Sequence, residues 1–171
     1  MKQGFIKVAA VTVDIRVADV WHNCKEICKR MKEAEKAGAK IIVFPELCIT
    51  GYTCSDLFLQ DILLNSAKKA LVKIAEHTKN LDALVFVGVP IAVGGELYNV
   101  AAALNHGNIL GFTTKSFLPN YGEFYEMRQF RPGPKKAEKI LFGGKEIPFG
   151  PQLLFVENQM ANLIVSAEIC E

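Results

Sequence analysis

Lys40-Ile-Ile-Val-Phe-Pro-Glu46 is an unbroken apolar run closed by a proline and a carboxylate. Entered from a helical stretch and carrying no polar alternation, it reads as a strand covered on both faces, the second strand of a βαβ unit in a parallel sheet. Working backwards, residues 18–37 repeat Val20, Trp21, Cys24, Ile27, Cys28, Met31 and Ala34 at three- and four-residue steps, with Lys25, Glu26, Lys29, Arg30, Lys32 and Glu33 opposite. That is an amphipathic helix, stopped at Gly38. Before it, residues 6–13 are a first buried strand. Working forwards, residues 58–78 are helical, with Leu59, Ile62, Leu63, Ala67, Ala70, Leu71 and Ile74 inward. Residues 83–89 are a third buried strand ended by Pro90. Residues 97–104 and 109–114 then form a hairpin around Asn105-His-Gly-Asn108, whose Asn and Gly suit the turn. An irregular stretch over 116–138 follows, of a length that is often functional. Short strands are expected at 139–142, 152–156 and 161–166. The whole is one α/β domain over 1–171, and no helix follows the last strand to cover the sheet there.

Half of the residues are hydrophobic and the mean hydropathy is +0.19, which describes a globular chain rather than a disordered tail. A net charge of +2 with no basic cluster argues against nucleic acid and membrane surfaces as partners. The start lacks an apolar h-region with a small-residue cleavage site, and no apolar run is long enough to span a bilayer. Five cysteines, an odd number in such a chain, point to reduced thiols and a cytoplasmic location. Cys24 and Cys28 share a helix face without further ligands nearby, so they read as buried core thiols and no metal site is expected.

Three reactive side chains stand at predicted strand ends, where the chemistry of α/β sheets collects. Glu46 follows an apolar strand; partial desolvation there would suit a general base, although a helix cap or surface turn uses a glutamate in the same way. Lys115 follows the 109–114 strand, either as a solvated terminus or as a cation for an oxyanion. Cys170 follows the last strand, bracketed by Glu168 and Glu171. A base and a cation would activate its thiol as a nucleophile. His22 and His77 fall on helices and His106 in the hairpin turn, so a Cys–His pair is not expected.

The segments Val43-Phe-Pro-Glu-Leu-Cys-Ile-Thr-Gly-Tyr52, Thr114-Lys-Ser-Phe-Leu-Pro119 and Glu168-Ile-Cys-Glu171 together resemble the nitrilase/amidase, or carbon–nitrogen hydrolase, superfamily. The resemblance implies an α-β-β-α sandwich, here incomplete at the C-terminus. It also implies a Glu–Lys–Cys triad in this chain order: Glu46 the base, Lys115 the oxyanion support, Cys170 the nucleophile. A further family glutamate, which steadies the lysine and the substrate, maps best onto Glu123, with Glu126 the lesser claimant. Within the superfamily, Thr50–Gln60 and Leu118–Glu126 with Arg128 and Phe130 are similar to the glutaminase domain of glutamine-dependent NAD+ synthetases. That implies glutamine as substrate, with Tyr121 near it, and no cofactor for the hydrolytic step. It further implies a C-terminal synthetase domain that uses ATP and Mg2+ to amidate nicotinic acid adenine dinucleotide, and assembly into homo-oligomers. No Gly-rich phosphate-binding motif occurs in these residues. With the synthetase part and the closing strands of the hydrolase part absent, the chain alone is expected to be inactive or nearly so. The alternatives are a stand-alone amidase or carbamoylase of the same superfamily, and a non-catalytic oligomerisation module in which Cys170 is only a buried thiol.

Overall fold

A computed structural model describes residues 5–157 and 163–169. Strands β1 (Val8–Ala10), β2 (Ile41–Val43) and β3 (Leu84–Val93) run parallel. β4 (Glu96–Asn105) and β5 (Asn108–Thr114) continue the sheet as an antiparallel meander. β6 (Glu138–Phe142) and β7 (Lys145–Gly150) close its far edge, giving seven strands in the order β1-β2-β3-β4-β5-β7-β6. Because β5 runs parallel to β2, Glu46 and Lys115 leave the sheet at the same end.

Helix α1 (Val20–Lys36) matches its expected span, with Asp19 capping it by accepting the His22 N–H at 3.1 Å. Its inward face holds Val20, Cys24, Ile27, Cys28 and Met31, as the periodicity requires. Trp21 departs from it: half exposed, its ring lies under the Lys73 ammonium instead. Helix α2 (Asp61–His77) begins later than the apolar pattern, after a 3-10 turn over Ser55–Leu59. That turn changes the angular step per residue, which leaves Leu59 and Ile62 exposed rather than inward.

β3 runs through Pro90 instead of ending there. The last β2–β3 register pair is Val43 with Phe86, so at Pro90 β3 is paired with β4 alone and the missing N–H breaks no bond to β2. β7 lies where no strand was expected; its Lys-Glu-Ile-Pro-Phe-Gly sequence hides it, and only Phe155–Val156 of the expected 152–156 strand is extended.

The two faces of the sheet are covered differently. Ile42, Val85, Val87, Val89, Ala102, Leu104 and Phe112 belong to the core shared with both helices. On the opposite face Phe86, Ala103 and Gly111 form one cross-strand row. Phe155 packs on this row, its ring 5.6 Å from that of Phe86 and against Gly111. Phe155 belongs to β8 (Phe155–Val156), which pairs antiparallel with β9 (Ile164–Val165) as a second, small sheet. Helices, large sheet and second sheet are three successive layers of the expected sandwich. Among the described residues no helix is long and apolar enough to cross a membrane.

Candidate active site

The side chains of Asn99 and Lys115 continue the alternation of Ala103 and Gly111, so both point to the second-sheet face. Glu46 reaches them because the chain leaving β2 turns across β3. The turn sits on Gly88: a Cβ there would lie 2.2 Å from Leu47 N and 2.6 Å from Pro45 O. Only glycine permits that approach. Ile49 N–H donates to Gly88 O at 3.2 Å, and the buried Asn23 amide donates to Ile49 O at 3.1 Å. Leu47, fully buried, is held at φ +50°, a conformation that costs a non-glycine residue of order 1–3 kcal/mol and needs such support. The sequence therefore builds a rigid, strained turn whose product is the position of Glu46.

Lys115 is 2 % exposed. Its N–H donates to Asn99 O, and its carbonyl accepts from Gly133 N, both at 2.9 Å. Gly133 in turn lies so close to Thr114 that a Cβ would stand 2.0 Å from its Oγ1, so the irregular stretch packs directly on the end of β5. The ammonium donates to Glu46 Oε1 and to Glu126 Oε1, each at 2.7 Å. Burial pulls the lysine pKa down, but the hydrogen bonds and charges of Glu126 and Glu46 outweigh it, and the net displacement is upward. Lys115 is thus a permanent cation at working pH. Its contribution to stability is complete below the unfolded lysine range and is lost only as pH rises through the higher folded value.

The residue completing this cluster corrects the expectation. Glu126, not Glu123, stands on Lys115. A 3-10 turn over Glu126–Arg128 swings Glu126 inward to 5 % exposure, where it also accepts the Tyr52 hydroxyl at 2.6 Å. Glu123 is exposed at a surface recess beside Phe124. Tyr121 is 72 % exposed and packs edge-on to Phe124, without a bond to the cluster. The turn bearing Glu126 is tied to the 51–59 loop by a two-pronged Arg128–Asp56 pair at 2.7 and 2.8 Å and by the Phe58–Phe130 ring contact. The bond from Arg128 holds the Asp56 carboxyl below its ordinary range.

Asn99 and Tyr52 are the contacts that sequence reading missed. Asn99, 1 % exposed, donates its side-chain amide to Glu46 Oε1. An asparagine inside a predicted strand was itself the available signal, since a polar residue buried in a sheet needs a partner. Glu126 Oε2 and Asn99 Oδ1 are buried with no hydrogen-bond partner among the described residues.

Cys170 lies outside the described residues. The segment leading to it does not: Val165–Ile169 forms one wall of a cavity of about 570 Å³ between the two sheets, and Val43, Glu46, Phe86 and Gly88 form the other. Cys24, Cys28, Cys48 and Cys54 are all buried; burial pushes Cys48 up to about 12 and Cys54 above its ordinary value. Buried as they are, none of these four has the exposed setting of a reactive thiol. Among the described residues no three His, Cys, Asp or Glu side chains group as a metal site. The Glu46 and Glu126 carboxylates and the Lys115 ammonium together carry one net negative charge when ionised. Such a set can take one proton from an acid without creating a buried cation.

Residues 7–171 match the Carbon-nitrogen hydrolase family. The glutamine-dependent NAD(+) synthetase of Mycobacterium leprae is 36 % identical over 169 residues, 99 % of this chain and 25 % of its own length. The crystal structure of a glutamine-dependent NAD(+) synthetase from Cytophaga hutchinsonii superposes with a TM-score of 0.84 at 34 % identity, over 90 % of this chain and 26 % of that one. An amidase from Nesterenkonia sp. shares the fold, with a TM-score of 0.63 at 23 % identity over 86 % of this chain and 56 % of that one. The chain spans about a quarter of the length of the curated relatives it matches.

Proposed function

Because the chain belongs to the carbon-nitrogen hydrolase family, we propose that Glu46, Lys115 and Cys170 hydrolyse the side-chain amide of glutamine, and that the ammonia serves NAD+ synthesis. The observation that carries this reading is the Glu46–Lys115–Glu126 cluster, in which Lys115 and Glu126 are buried and Glu46 faces a cavity bounded by the residues just before Cys170. Glu46 takes the Cys170 proton. The thiolate attacks the amide carbon, and Lys115 stabilises the negative charge that develops on oxygen. Glu46 returns the proton to the amide nitrogen, and ammonia leaves. Water, giving a proton to Glu46, then cleaves the γ-glutamyl thioester, and glutamate and the free thiol result. Glu126 fixes the lysine with one oxygen and keeps the other as an acceptor for the substrate amide.

No step of this hydrolysis needs a metal or nucleotide. ATP and Mg2+, which the relatives' full-length reaction implies, would act outside these residues, in a synthetase domain to which the ammonia passes and which amidates nicotinic acid adenine dinucleotide. A cytoplasmic location and a homo-oligomeric assembly belong to the same proposal.

The cavity beside Glu46 is open: Val8 and Val43 line it and are themselves exposed. Water that is not excluded weakens electrostatic stabilisation of the transition state. These 171 residues alone are therefore expected to turn glutamine over only slowly in a coupled ammonia assay. Chemical labelling tests the reading without needing turnover. An electrophilic glutamine analogue should modify Cys170 and leave Cys24, Cys28, Cys48 and Cys54 untouched, with glutamine protecting and acetamide not. Protection by small aliphatic amides but not by glutamine would favour the amidase reading. No labelling of Cys170 in the folded protein would sink both.

A further inference from the structure

We propose that Asn99 is a positioning residue that decides which oxygen of Glu46 does the chemistry. The inference rests on Glu46 being the base for Cys170. Two donors reach Glu46, the Asn99 amide and the Lys115 ammonium, and both land on Oε1. Among the described residues nothing donates to Oε2. With Oε1 occupied twice, the oxygen with its lone pairs free to receive the thiol proton is Oε2.

Asn99 is built for this task rather than adventitiously near. It sits in the middle of the sheet at 1 % exposure, and its backbone carbonyl accepts the Lys115 N–H at 2.9 Å. One residue therefore fixes the lysine through its main chain and the glutamate through its side chain. The sense of the side-chain bond follows from chemistry: turning the amide over would press Oδ1 against a carboxylate, two acceptors in contact. An amide also does not titrate, so it remains a donor to Oε1 both when Glu46 is charged and when it has just taken a proton on Oε2, holding the charged form more tightly. Lysine alone would hold Oε1 by one bond and leave the carboxylate free to swivel about it. The asparagine removes that freedom. Its own packing restrains it in turn, since it pairs with Pro90 on one side and precedes the buried Val100 on the other.

The groups whose titration bears on Glu46 are Lys115 at the end of β5, Glu126 and Tyr52 through that lysine, and Glu168 across the cavity, with Cys170 as the acid. The test is the pH dependence of Cys170 alkylation by iodoacetamide, read by peptide mass spectrometry, in the wild type and in Asn99→Asp, Asn99→Ala and Glu46→Gln. Glu46→Gln should slow alkylation near neutral pH by about tenfold or more, because the proton acceptor is gone. Asn99→Asp keeps the size but sets a second carboxyl against Oε1. The two then share a proton, and the acid limb of the profile should move up by about one pH unit or more. Asn99→Ala removes a bond that favours the charged carboxylate, so its limb should move the same way by less. A residue that only packs would lower the rate in proportion to the folded fraction and leave the limb where it is.

Wild-type limbs in both Asn99 variants, with Glu46→Gln slowed, overturn the proposal and leave the base assignment standing. An unchanged Glu46→Gln overturns both. Independently of any variant folding, the Asn99 side-chain amide proton resonances of the wild type should move along the same limb. Resonances that stay flat through it count against the proposal.

Discussion

Lys115→Met is expected to destabilise the protein by about 3–5 kcal/mol near neutral pH, the usual result of removing one partner from a buried ion cluster. Methionine fits the volume but leaves Glu46 and Glu126 facing each other around a hole in the charge pattern. Each accepts a hydrogen bond from the lysine in the wild type, at 2.7 Å. The loss should depend on pH in a definite direction. In the variant the two carboxylates repel one another without the cation that bridged them, so proton uptake is raised in the folded state relative to the unfolded one. Groups raised in this way favour folding below the unfolded pKa and oppose it as pH rises through the folded one. Thermal melts should therefore show a gap between variant and wild type that narrows at about pH 5 relative to neutral pH. A gap independent of pH would mean that Lys115 contributes packing rather than charge. The wild type itself should show no such recovery in acid, since its ammonium stays charged throughout.

Gly88→Ala is the second large effect, and it acts without touching a charged group. The added methyl would stand 2.2 Å from Leu47 N, 2.6 Å from Pro45 O and 2.7 Å from the Glu46 carbonyl carbon. All three are backbone atoms, so the turn must move as a body. Overpacking of this kind costs about 1–3 kcal/mol, and here at the upper end because Leu47 is already at positive φ. The functional loss should exceed the loss of stability. Displacing Glu46 by about 1 Å can cost on the order of a hundredfold in rate. Gly111→Ala is the comparison: its methyl would meet the end of the Leu153 side chain at 2.9 Å and the edge of the Phe155 ring at 3.3 Å, side-chain atoms that can shift without moving the backbone. Denaturation midpoints and Cys170 labelling rates for the pair separate the two cases. Equal behaviour of the two variants would remove Gly88 from the account of how Glu46 is positioned.

The parts of the molecule that were legible in its sequence share a physical character. Helix α1, β2 and the β4–β5 hairpin announce themselves through period and turn chemistry, because burial on a regular element repeats. Glu46 and Lys115 were legible because each ends such an element, and both arrive at the same end of the sheet. Glu126 was not separable from Glu123. Three residues apart in a stretch without period, only the 3-10 turn and its ties to Asp56 and Phe58 decide which one turns inward. Those ties are long-range, and no local pattern carries them. β7 was hidden for a related reason: its proline and charges look like a loop until β5 and β6 flank it. Asn99 was in plain view, but a buried strand asparagine names its partner only when the strands are in register.

The most direct test of the account is the covalent intermediate itself. The protein is mixed with glutamine, quenched in acid within the first turnover, and its peptides are weighed. One γ-glutamyl group on Cys170 is expected, formed with one equivalent of ammonia, and no adduct in Glu46→Gln or Lys115→Met. Ammonia released without an adduct on Cys170, or an adduct that forms as readily in both variants, would contradict it.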